Sequence, residues 1–160
     1  MKKILVAYFS VSGRTRQVAQ KLAKCINADL YEIIPAEPYT DNDIDWRSNK
    51  ENRASIEMKD KFSRPKIANG VQDMAKYDKI YLGFPIWWYV APRIVNTFLE
   101  SYNMFGKVIV PFGTSGGSGL GKTNLILSPS CEGAILKDGR VFSPDVDETT
   151  LKEWAMKVIN

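Results

Sequence analysis

The chain has 160 residues, enough for one domain with a substantial core, and its 44% hydrophobic and 25% charged residues are ordinary for a globular protein. It has no histidine, which excludes histidine general-base chemistry and most transition-metal sites. The net charge of +4 is mild, and the cations between Arg47 and Lys66 interleave with Asp60, Glu51 and Glu57, as on a solvated face rather than a nucleic-acid surface.

Residues 2–9 read as a buried strand that runs directly into Ser10-Val11-Ser12-Gly13-Arg14-Thr15-Arg16. Val18, Ala19, Leu22, Ala23 and Ile26 then recur at helical spacing, so a helix is expected over about residues 14–27. A second strand is expected at 29–34, ended by Pro35 and Pro38. The stretch that follows is less patterned: a polar helix around 45–59 and a shorter one near 70–76 are the expectation, with Trp46 over a ligand or at a dimer interface.

A third strand is expected at 79–84, closed by Pro85 and followed by the aromatic run Ile86-Trp87-Trp88-Tyr89. Pro92 suits the first turn of a helix carrying Ile94, Val95, Phe98 and Leu99. Residues 107–112 form the fourth expected strand, then a glycine- and hydroxyl-rich loop, a helix at 120–127 and a short last strand at 133–136. The final helix places Leu151, Trp154, Ala155, Val158 and Ile159 on one face, with Thr150 and Glu153 spaced as a capping box. Cys25 and Cys131 form no CxxC pair and read as two buried thiols. No signal-peptide pattern and no apolar run of membrane-spanning length is seen, so a cytoplasmic protein without membrane insertion is expected.

Strands alternating with helices call for a doubly wound parallel sheet covered on both faces, with ligands beyond the carboxyl ends of its strands. Three strand–helix junctions carry unusual loops that would open on one edge. Ser10–Thr15 offers hydroxyls, a close-approach glycine and a helix start, which suit a phosphate monoester; the plainer alternative is a capped helix. Three consecutive large aromatics in a tight loop cannot all face a core, and a planar conjugated ring is a natural cover for them. Residues 113–119 leave backbone N–H groups for the carbonyls of such a ring, or serve only as a flexible connection. Gly116–Thr123 also matches the nucleotide P-loop GxxxxGK[ST], but too few residues follow it for the remaining strands of such a domain, and the third strand ends without an acid.

Tyr8-Phe9-Ser10-Val11-Ser12-Gly13-Arg14-Thr15, Gly83-Phe84-Pro85-Ile86-Trp87-Trp88, Ala91-Pro92 and Thr114-Ser115-Gly116-Gly117-Ser118-Gly119 together resemble the flavodoxin-like FMN proteins, in a branch with "PIWW" and "TSGGSG" loops. The resemblance covers nearly the whole chain except 39–61. It implies an α/β, three-layer fold of one domain with a five-stranded parallel sheet in the order 2-1-3-4-5. It also implies FMN at the C-terminal edge. By position, Ser10, Ser12, Gly13, Arg14 and Thr15 would hold the phosphate. Pro85, Ile86, Trp87 and Trp88 would lie along the isoalloxazine, with Tyr89 a further contact. Thr114, Ser115, Gly116, Gly117, Ser118 and Gly119 would flank its polar edge. No acid occurs from Pro85 to Pro92 or from Gly113 to Gly121, unlike the acidic surroundings of typical short-chain flavodoxins. Reduced flavin is anionic, so a less negative potential is expected. The implied role is electron transfer from a reduced donor, NAD(P)H or a reductase, to an acceptor such as a quinone or a partner protein. Carrier and reductase both stay open, as does a homodimer. A flavin-free interaction module of the same fold is the alternative from another class.

Overall fold

The computed structural model describes residues 3–45, 47, 51–115 and 117–159. Its elements in chain order are β1 (Lys3–Tyr8), α1 (Arg14–Cys25), β2 (Asp29–Glu32), α2 (Asp41–Ile44), α3 (Arg53–Lys59), β3 (Tyr77–Pro85), α4 (Arg93–Glu100), β4 (Val108–Thr114), α5 (Thr123–Leu127), β5 (Ile135–Leu136), β6 (Arg140–Phe142) and α6 (Glu148–Val158). All strand pairs are parallel, in the order β2-β1-β3-β4-β5, with β6 also on β4. The expected order is therefore present, and its fifth position is shared by two short strands. β5 lies beside Val108 and Ile109, and β6 beside Phe112, Gly113 and Thr114.

The period of two in the central strands explains the layers. Leu5, Ala7, Phe9, Ile80, Leu82, Phe84 and Ile109 face one side, where Ile94, Val95, Phe98 and Leu99 of α4 cover them. Val6, Tyr8, Tyr81, Val110 and Phe112 face the other, under Val18 and Leu22 of α1 and Leu151 and Ala155 of α6. Tyr81 is fully buried, and its hydroxyl donates to the Ala155 carbonyl at 2.7 Å, pinning α6 to the sheet.

Several element ends differ from the sequence reading. α1 stops at Cys25 because Asn27 adopts φ 54°. The N–H groups of Asn27 and Ala28 return to the carbonyls of Lys24 and Ala23, a Schellman closure in which asparagine takes glycine's place. β2 ends at Glu32, and beyond it Asn69 covers the sheet edge, its amide donating to the Glu32 carbonyl (2.8 Å) and accepting the Ile34 N–H (3.2 Å). The expected Thr150–Glu153 box is not the cap of α6: the Asp147 carboxylate takes that place, accepting the Thr150 N–H at 2.7 Å. The polar helix expected at 45–59 is instead two short ones, α2 capped by Thr40 and α3 capped by Asn52. Trp46 lies outside the described residues.

Strand order reverses at β1, which has β2 on one side and β3 on the other. Tyr8, Gly83 and Phe112 lie side by side across β1, β3 and β4, so the loops leaving these strands share one edge. No helix among the described residues is long and apolar enough to cross a membrane.

Candidate functional site

The loop from β1 to α1 is organised by one hydroxyl. Ser10 Oγ accepts the N–H of Gly13 (3.1 Å) and of Arg16 (3.3 Å), while Gly13 makes the turn at φ 91°. The first bond along the helix runs from the Gln17 N–H to the Gly13 carbonyl at 3.1 Å. The N–H groups of Arg14 and Thr15 therefore have no carbonyl in the helix to meet, at the end of a twelve-residue helix whose dipole favours an anion. The two arginines separate. Arg16 is drawn to the sheet edge, donating to Tyr8 Oη (3.4 Å) and Glu32 (2.7 Å), whereas Arg14 is exposed at the cleft and has no ion pair among the described residues.

The loop after β3 is a two-residue hairpin. Trp87 and Val90 exchange both main-chain hydrogen bonds, at 2.9 and 3.2 Å, and the residues between them, Trp88 and Tyr89, sit at φ 49° and 71°. This is type I′ geometry, which ordinarily selects Asn-Gly. Bulky aromatics there carry roughly 1–2 kcal/mol of strain each. The turn sorts the aromatic run into one ring inward and two outward. Trp87 packs edge-on against Phe9 (5.8 Å) and Tyr39 (5.5 Å), whereas Trp88 and Tyr89 remain 46% and 68% exposed.

The loop after β4 braces that hairpin. Gly121 lies at φ 54° against it, where a Cβ would stand 2.5 Å from the Tyr89 carbonyl oxygen. Ser115 Oγ donates to the Ser118 carbonyl (2.5 Å) and accepts the Gly117 N–H (3.2 Å), holding the turn. Beneath the loops, the buried hydroxyls of Thr15 and Thr114 meet at 2.8 Å and tie the start of α1 to the end of β4. Among its described residues, 117–123, the P-loop match forms no phosphate cradle. Thr123 is fully buried with its hydroxyl donated to the Leu120 carbonyl, and the helix it opens has five residues.

Between the three loops lies a cavity of about 710 Å³, within the range of small-molecule sites. Arg14 lines it from the first loop, Ile86, Trp87 and Trp88 from the second, and Ser115, Gly117 and Ser118 from the third, joined by Tyr89. Of the other expected residues, Ser10, Ser12 and Gly13 shape the turn before α1. Thr15 and Thr114 are buried together, Pro85 is the last residue of β3, and Gly119 is exposed. Gly116 lies outside the described residues.

Three lining residues were not anticipated: Ile44, Arg47 and Ala54. They come from the segment between β2 and β3, which is fastened to the site by Tyr39. The Tyr39 ring packs on Phe9 and Trp87. The Arg53 guanidinium stacks 3.7 Å above that ring and pairs with Glu57 (3.0 Å), to which the Tyr39 hydroxyl donates. Burial first, then the Glu57 contact, push the Tyr39 phenol far above its ordinary pKa, so it stays a neutral donor. Asn52 completes the fastening, its amide donating to the carbonyls of Asp45 (2.9 Å) and Asn42 (3.3 Å). The signal that would have found this wall was Tyr39, an aromatic in a polar stretch. Among the described lining residues there are two guanidiniums, Arg14 and Arg47, and no carboxylate. The cavity thus joins flat apolar walls to positive charge.

The family model described as Flavodoxin matches residues 3–158. A candidate flavoprotein of Bacteroides eggerthii is 42% identical with a TM-score of 0.92, over 100% of this chain and 99% of that one. A candidate flavoprotein of Bacteroides uniformis is also 42% identical, with a TM-score of 0.90 over 97% of this chain and 98% of that one. A Lactobacillus acidophilus flavoprotein in complex with FMN shares the fold at 21% identity, with a TM-score of 0.72 over 97% of this chain and 99% of that one. No match was found among curated proteins.

Proposed function

The chain belongs to the flavodoxin family, and from that premise we propose that it is a single FMN-binding domain that moves electrons between a reduced donor, NAD(P)H or a reductase, and an acceptor such as a quinone or a partner protein. The residues fit the cofactor. The N–H groups of Arg14 and Thr15, the Ser12 hydroxyl and the Arg14 guanidinium suit its phosphate, with Ser10 and Gly13 shaping their loop. Ile86, Trp87 and Trp88 offer the ring a flat wall, entered from Pro85. Ser115, Gly117, Ser118 and Gly119 offer main-chain groups to its polar edge, above the Thr15–Thr114 pair, and Gly116 is proposed with them from the sequence motif.

When bound, FMN supplies reversible two-electron redox chemistry. The observation that carries the reading is the cavity at the strand-order switch, walled by aromatic rings, with two guanidiniums and no carboxylate among its described lining residues. Arg14 and Arg47 favour the anionic, reduced form of the cofactor, so the potential lies less negative than in a carrier with acidic surroundings. Of the two roles, this favours a small reductase.

The test is an anaerobic absorbance titration of the FMN-loaded protein with NADPH and then NADH. Direct bleaching of the flavin band supports a reductase. Bleaching with dithionite alone supports a carrier that needs a partner enzyme. A protein that shows no flavin band after incubation with FMN would be the flavin-free interaction module instead.

A further inference from the structure

One residue of the P-loop match has no part in the site. Lys122 is exposed, forms no ion pair among the described residues and does not line the cavity. It stands beside the aromatic hairpin, since a Cβ on Gly121 would lie 3.3 Å from the Cβ of Tyr89. The Ile126 N–H returns to the Lys122 carbonyl at 3.2 Å, so Lys122 and Leu125 are neighbours on the surface of one helical turn. Leu125 is 73% exposed and Tyr89 68%. Charge around this ridge is one-sided. From Lys79 to Cys131 the sequence has a single acid, Glu100. It lies at the far end of α4 from the hairpin, where Arg64 and Ser130 donate to it. Across the cavity, Arg14 adds a second exposed cation without an ion pair among the described residues.

We infer that Tyr89, Lys122 and Leu125, together with Arg14, form the docking face for a small redox protein that carries an acidic surface. The inference rests on the FMN reading above, because a partner seated on this face lies against the mouth of the cavity. An exposed apolar patch beside charged residues marks an interaction surface. Aromatic side chains anchor the centre of such contacts, while charges at the rim select the partner by sign and speed the encounter. Other occupants fit this face less well. A second copy in an isologous contact would bring the cations of the face together with their own images. A lipid surface calls for a long amphipathic helix rich in cations, whereas α5 has five residues with Lys122 at its start. A small molecule confined to the cavity would touch neither Lys122 nor Leu125, which do not line it.

The test presents the FMN-loaded protein with two small redox proteins of opposite charge, an acidic plant-type iron–sulfur ferredoxin and a basic cytochrome c. Affinity is read by calorimetry and location by amide NMR, so no turnover is needed. At low salt the ferredoxin should bind at least about tenfold more tightly, and added salt should narrow the difference. Its contact should fall on the amides of Tyr89, Lys122 and Leu125. Lys122→Glu should weaken ferredoxin binding about tenfold and Lys122→Gln by less. Leu125→Ser should weaken it at low and high salt alike, and FMN affinity should be unchanged in all three variants. Equal affinities for the two proteins, no ferredoxin binding, contact on another face, or a preference that survives Lys122→Glu would each overturn the inference. Binding to vesicles of phosphatidylcholine and phosphatidylglycerol in place of ferredoxin would give the face to a lipid surface and overturn it. Dimerisation abolished by Leu125→Ser would give it to a second copy, with the same consequence. A loss of FMN affinity in Lys122→Glu with ferredoxin binding intact would place Lys122 on the cofactor and also overturn it. Absence of a flavin band would sink the FMN reading itself and this inference with it, whereas a loaded protein that ignores partner charge sinks the inference alone.

Discussion

The Thr15–Thr114 pair gives the sharpest test of how the site is held together. Two buried hydroxyls, 2% and 3% exposed, meet at 2.8 Å across 99 residues of sequence. Thr15→Val keeps the side-chain shape and removes the hydroxyl, leaving Thr114 buried without that partner. An orphaned buried polar group costs about 1–3 kcal/mol, whereas removing both partners together is close to neutral. For a chain of this size each kcal/mol moves Tm by about 2–4 °C. Either single valine variant should therefore lower Tm by roughly 2–12 °C. The double variant should sit well above the sum of the singles, with a coupling of about 1–3 kcal/mol. The assay is denaturant unfolding of the flavin-free protein followed by circular dichroism, which separates the pair from any ligand contact. An unchanged m-value will confirm that stability alone has moved. Single variants that cost nothing, or a double variant equal to their sum, would show that the two hydroxyls are not coupled.

Gly121→Ala forces an L side chain to φ 54° with its Cβ 2.5 Å from the Tyr89 carbonyl oxygen. It should cost about 1–2 kcal/mol in unfolding experiments, and displacement of the aromatic hairpin should weaken FMN binding by up to about tenfold. A variant with wild-type FMN affinity would show that the hairpin does not depend on this brace. Asp147→Ala removes the cap of α6 and should lower Tm at neutral pH. The Asp147 carboxyl is held below its ordinary pKa of 3.8, chiefly by the Thr150 contact, so its stabilisation is present above that pH. It is lost as pH falls through the folded-state value, and the two Tm curves should converge there. Burial raises the Tyr81 phenol from 10.0 to about 12. The stability linked to its neutral form is complete below pH 10.0 and declines toward about 12. Tyr81→Phe should flatten that alkaline decline, and equally steep curves for the two proteins would contradict the assignment.

How much of this was legible in the sequence depended on the range of the interaction. The boundary between β1 and α1 was readable because a buried apolar run gives way at Ser10 to residues that only a turn and a helix start accommodate. The parallel sheet followed from the regular alternation of strands and helices, and its strand order from the resemblance alone. The Trp88–Tyr89 hairpin was hidden because its turn type normally announces itself through asparagine and glycine. β6 was too short, at three residues, to show a period, and Gly139 was its sole mark. A Cβ at Gly139 would stand 2.2 Å from the Pro111 carbonyl oxygen, so the close approach to β4 requires glycine. The pairing of Thr15 with Thr114 and the wall built from Ile44, Arg47 and Ala54 are tertiary facts. No local pattern encodes which distant segment closes a cavity.

Whether this cavity holds FMN is read from FMN uptake. Flavin-free protein is titrated into FMN while flavin fluorescence and the visible absorbance band are followed. Fluorescence should quench to a sharp end point at one FMN per chain, with a perturbed flavin band and weaker binding in Arg14→Ala. FMN fluorescence and absorbance that stay unchanged in an excess of folded protein would contradict it.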